Sequence, residues 1–114
     1  MQVPEEKRLQ YVTPIVEQIE LSSAGELINE TWHKGDGFMG GSSYQATLRG
    51  AEPFEILRAK IINIPQVTCE KYAPNSYSLN CNQGRVEIGL FVDQENVTNI
   101  RILDYYNGDE NNNA

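Results

Sequence analysis

The chain has 114 residues, of which 39% are hydrophobic, with 9 Lys+Arg against 16 Asp+Glu and a formal net charge of −7. That length predicts one domain burying roughly 60–70% of its extended surface, and the well-spread apolar fraction argues against wholesale disorder. The acidic balance excludes a phosphate-backbone binder, which needs a basic face. One His and two Cys leave metal sites and most catalytic schemes without ligands or bases.

Residues 1–10 read as a polar arm with no apolar h-region, and no run approaches the ~18 apolar residues of a membrane helix. The expectation is a cytoplasmic protein by default, or a secreted one if a signal has been removed. Residues 11–106 read as a single β-rich domain and 107–114 as a polar tail. Thr13–Leu21 supports two forms. Ile15, Ile19 and Leu21 share a strand face, whereas Ile15, Val16 and Ile19 suit a helix, and Pro14 favours an edge or a strand start. Ser23 with Glu26 resembles a capping box, weakened by Gly25.

Residues 32–43, Trp-His-Lys-Gly-Asp-Gly-Phe-Met-Gly-Gly-Ser-Ser, read as a Gly-rich loop. Beyond it, Tyr44, Ala46 and Leu48 alternate with Gln45, Thr47 and Arg49 as a half-buried strand, broken by Gly50 to Pro53. Phe54–Ile62 again supports two forms. Pro53, Glu55 and Lys60 suit the ends of a helix, while the β-branched run Lys60–Ile64 favours a strand in the second half. Val67–Tyr72 predicts a strand, Ala73–Ser76 a turn, and Tyr77–Cys81 the returning strand. Val86–Val92 has the clearest alternation, and Val97–Tyr106 supplies the last strand. Turn signals spaced by roughly 8–12 residues predict a mainly β fold: a small antiparallel sandwich or barrel-like meander with at most one or two short helices.

The loop is the first candidate for function. Gly35 to Gly40 satisfies G-x-G-x-x-G, but the chain beyond it enters a strand and not a long helix, and Asp36 would repel a phosphate. Trp32, His33, Asp36, Phe38 and Met39 form a candidate partner- or ligand-binding loop. Its three large apolar side chains either fold back over the core, the favoured reading, or anchor a partner. His33 and Asp36 make a turn pair. A Ser-His-Asp set with Ser42 or Ser43 would come from one short loop without a nucleophile elbow, so no catalytic residue is assigned. No metal or other cofactor is assigned either.

Cys69 and Cys81 form a candidate disulfide. In a hairpin whose paired numbers sum to 150 they stand opposite each other, whereas a two-residue turn at Pro74-Asn75 sets the sum at 149 and separates them. The tyrosines at strand ends fit a ligand platform and ordinary packing equally well. The acidic residues are scattered, as on a solvated surface.

Tyr11 to Leu21 places a tyrosine, then a proline, then alternating acids and aliphatics, with a double glycine downstream at Gly40-Gly41. This pattern resembles the leaders of small Bacteroidales precursor peptides over about a third of the chain. Residues 44–106 depart from such peptides by predicting a packed β domain, so no functional residue is carried over. The leading expectation is a non-catalytic, acidic protein-interaction module of inhibitor, immunity or assembly-factor type, with a protein partner of basic character and no nucleic acid or membrane. The alternative is a small-molecule or glycan-binding β barrel or sandwich, with a pocket holding Trp32 or several tyrosines. An enzyme using His33 and Asp36 ranks third. Oligomeric state is left open.

Overall fold

The computed structural model describes residues 11–33, 42–70 and 77–104. In chain order these form α1 (Thr13–Ile19), a 3-10 turn (Leu21–Ser23), β1 (Leu27–His33), β2 (Ser42–Arg49), α2 (Glu52–Ile62), β3 (Thr68–Cys69), β4 (Ser78–Gln83), β5 (Val86–Val92) and β6 (Val97–Asp104). The six strands make one open sheet in the order β1-β2-β6-β5-β4-β3, antiparallel throughout. The described residues are therefore mainly β and antiparallel with two short helices, as the alternation predicts. β4, β5 and β6 form a meander that returns β6 to the middle of the sheet, and the second layer is helical.

Alternation places one side chain in two on each face of the sheet. Tyr44, Ala46 and Leu48 of β2, Ile100 and Ile102 of β6, Val86, Ile88 and Leu90 of β5, and Leu79 and Cys81 of β4 point to the buried face. Val12, Ile15 and Ile19 around α1 and Phe54, Leu57 and Ile61 of α2 close over them. Thr98, on the same face, donates its hydroxyl to the Gly50 carbonyl at 2.8 Å. Gly50 itself turns with φ +85°, a conformation that a side chain would strain.

Both undecided segments are helical. Pro14 occupies the first turn of α1, where a missing N–H costs nothing, and the i, i+4 pair Ile15 and Ile19 is buried. Ser23 does not cap a helix; its hydroxyl donates to the Glu20 carbonyl, and the 3-10 turn ends there. The whole of Glu52–Ile62 is helix, which corrects the strand expected for its second half. Glu52 and Glu55 lie in the first turn and Lys60 in the last, and Phe54, Leu57 and Ile61 share the buried stripe. Burying an isoleucine contributes roughly 1.5–3 kcal/mol, more than the ~1 kcal/mol span of β-propensity, so packing decides the form of this segment.

Two strands differ from expectation. β1 occupies Leu27–His33, a segment assigned no strand from sequence, and it makes Trp32 and His33 strand residues. Ser42 and Ser43, expected at the other end of the loop, begin β2. β3 is only Thr68–Cys69, shorter than the expected Val67–Tyr72, whose end lies outside the described residues. So do the polar arm, the turn 73–76, Tyr105, Tyr106 and the tail. No helix among the described residues is long and apolar enough to cross a membrane.

Candidate functional site

Helices cover one face of the sheet, and no described element covers the other. The strand registers set its side chains in rows. One row runs Asn29, Thr47, Asn99, Phe91, Ser78 across β1, β2, β6, β5 and β4. The next runs Thr31, Gln45, Arg101, Gly89, Asn80 across the same strands. Together these two rows line a depression of about 380 Å³.

Gly89 produces much of the hollow. A side chain there would stand over the sheet beside Asn80, and its absence leaves space between Arg101 and Asn80. Phe91 forms an apolar wall and is 44% exposed, although it points away from the core. Asn99 is fixed: its amide oxygen accepts from the Thr47 hydroxyl at 3.0 Å and its nitrogen donates to the Asp93 carboxylate at 3.2 Å. Gln45, Asn80 and Arg101 have no side-chain hydrogen bond or ion pair to another described residue, so their donors point to solvent. Arg101 is the one charged residue among the described residues lining this depression. Beyond Asn80, Gly89 and Arg101 the hollow continues into a second lobe of about 280 Å³, which contains Glu70 and Glu87. A further, more open depression lies between the ends of α1 and α2, where Lys60 is occupied by the Ser23 hydroxyl.

The candidate residues from sequence fall elsewhere. Trp32 lies on the helix-covered side at the sheet edge, its ring 4.5 Å from that of Tyr44 in an edge-on arrangement, and 37% of it is exposed. The expected burial of the loop's large apolar side chains in the core is incomplete at Trp32, because β1 is an edge strand. Tyr44 is fully buried and donates its hydroxyl to the Glu30 carboxylate at 2.8 Å. Burial, then that hydrogen bond, then the negative charge of Glu30 hold the phenol protonated well above its ordinary range. His33 stands opposite Ser43 on the open face. Asp36, Phe38 and Met39 lie outside the described residues, and with them the His33–Asp36 pair and the G-x-G-x-x-G segment. No group of His, Cys, Asp and Glu among the described residues could hold a metal ion.

Cys69 and Cys81 are register partners across β3 and β4, in the pairing whose numbers sum to 150, and they are joined by a disulfide. Arg85, in the turn between β4 and β5, grips Asp104 at the end of β6 with two hydrogen bonds, at 2.8 and 3.0 Å. Asp104 is nearly inaccessible, and this bidentate fork satisfies a charge that burial alone would penalise.

The open-face residues were missed because the sequence signal is only half of an alternation. Gln45, Thr47, Asn80 and Arg101 are recognisable as the polar partners of core positions. Their assembly depends on β6 inserting between β2 and β5, which no local pattern announces. No protein-family model, curated protein or solved structure matches this chain.

Proposed function

We propose that this chain is a small binding module whose open sheet face receives a polar small molecule or a glycan. The observation that carries the reading is the 380 Å³ depression on a face that no described element covers, lined by amides and hydroxyls around one aromatic ring. Small-molecule sites typically run about 300–1,000 Å³, with a few polar groups fixing orientation. The aromatic is Phe91, in place of the Trp32 or tyrosines expected from sequence. Neutral amides and hydroxyls offer both donors and acceptors, the complement of a hydroxyl-rich ligand.

The disulfide supports residence in an oxidising compartment, since cytosolic thiol systems keep such pairs reduced. The test of the binding reading is amide NMR of the oxidised chain against a panel of mono- and oligosaccharides. Saturable shifts centred on Gln45, Gly89 and Phe91 are expected. Shifts confined to the helical side would reject the open face as the site.

A second reading, protein interaction along the β1 edge, has its own observation. Leu27, Ile28 and Trp32 are 40%, 45% and 37% exposed on one edge strand. Edge strands with exposed apolar side chains invite pairing, and the negative charge favours a basic partner. Trp32→Ala should abolish a stoichiometric complex recovered by the native chain from lysate. An unchanged complex would remove β1 from consideration.

A further inference from the structure

The groove carries more information than its polarity, because its charges are segregated. Among the described residues, the lobe framed by Asn29, Gln45, Asn99 and Phe91 has Arg101 as its one charged lining residue, and Asp93 is held by the Asn99 amide. The adjoining lobe contains Glu70 and Glu87. Arg101 belongs to both and marks the boundary between them. On a protein of net charge −7, a solvent-facing guanidinium with no carboxylate partner among the described residues is a conspicuous cation. The other two guanidiniums on β2 and the β4–β5 turn are engaged, Arg49 with Glu26 and Arg85 with Asp104.

Resting on the binding reading above, we infer that the ligand is a carboxylate-bearing sugar, a uronic acid or its oligomer, with the carboxylate on Arg101. The guanidinium presents a planar pair of N–H donors that matches a carboxylate in two parallel hydrogen bonds. Gln45 flanks Arg101 in register and Asn80 lies across the Gly89 gap, so amides on either side meet the ring hydroxyls. Phe91, one row away, presents an apolar face to the C–H side of the sugar ring. Glu70 and Glu87 repel an anion from the second lobe, which fixes the ligand's direction across the sheet.

Methyl glucuronide and methyl glucoside, which differ only in oxidation at C6, test the inference by NMR titration of the oxidised full-length chain. The glucuronide is expected to bind about tenfold more tightly, the ratio a charge-assisted hydrogen-bonded pair supports. Arg101→Gln should remove that preference while leaving the weaker glucoside shifts in place. Arg101→Lys should keep part of it. Glu87→Gln should strengthen glucuronide binding and leave the glucoside unaffected, a change that a purely structural role for these residues would not produce. Equal affinity for the two sugars overturns the carboxylate assignment and leaves the binding reading standing. Absence of groove shifts with both sugars overturns the two together.

Discussion

Tyr44 shows how a single side chain ties the core to the sheet edge. Its ring is buried beneath Trp32, and its hydroxyl is held by Glu30 on the neighbouring strand. Because the folded chain keeps this phenol protonated beyond its ordinary pKa of 10.0, the unfolded chain binds fewer protons than the folded one at higher pH. Stability therefore falls as pH rises past about 10, and the contribution is fully present below that value. Tyr44→Phe should cost about 1 kcal/mol at neutral pH through the lost hydrogen bond, yet flatten the alkaline fall. Urea unfolding between pH 7 and pH 11 reads both effects. An unchanged alkaline slope in the variant would place the proton linkage on another group. The alternation marks Tyr44 as an inward position, but nothing in the sequence marks its hydrogen bond, because its partner Glu30 lies on a strand whose own pattern is mute.

Elements were legible where one face is apolar and the other polar. β2, β5 and β6 satisfy that condition, and their alternation places them closely. β1 does not. As an edge strand with a register break at Ile28, it sets Glu30 and Trp32 on one side and Asn29, Thr31 and His33 on the other, so neither side is uniformly apolar. The helices were equivocal because isoleucines serve both forms, and only the tertiary burial of Ile15, Ile19 and Ile61 resolves them. β3 is the extreme case, two residues held to β4 by one disulfide and the Glu70 N–H to Asn80 carbonyl bond at 2.9 Å. Two residues of edge pairing are weak alone, so the covalent link carries this element. Replacing both Cys69 and Cys81 with alanine should lower stability by about 3 kcal/mol on the loop-entropy model. Hydrogen exchange should show the Glu70 amide losing protection before those of β5 and β6. Equal loss across the sheet would mean that β3 unfolds with the core and not ahead of it.

At the scale of the whole molecule, the arrangement divides labour between two faces of one sheet. The side facing the helices is mainly apolar, with Thr98 and Asp104 held by hydrogen bonds, and the other is free to be polar because antiparallel sheets can present one face to water. This division explains why the sequence yields the fold class without the groove: core positions repeat locally, while the groove gathers residues as distant as Asn29 and Arg101. It also bears on the N-terminal elements. Removal of residues 1–41 takes away α1, the 3-10 turn and β1. With them go the buried side chains of Val12, Ile15, Ile19 and Leu21. At roughly 1.5–3 kcal/mol each, four such residues contribute about 6–12 kcal/mol, comparable with the 5–15 kcal/mol that typically holds a domain together. The fragment 42–114 should therefore show no cooperative transition in urea or on heating and should expose the buried side of β2 and β6 to a hydrophobic dye. A cooperative transition would mean that α2 and the five remaining strands form a core by themselves, and that residues 11–33 act as a detachable covering.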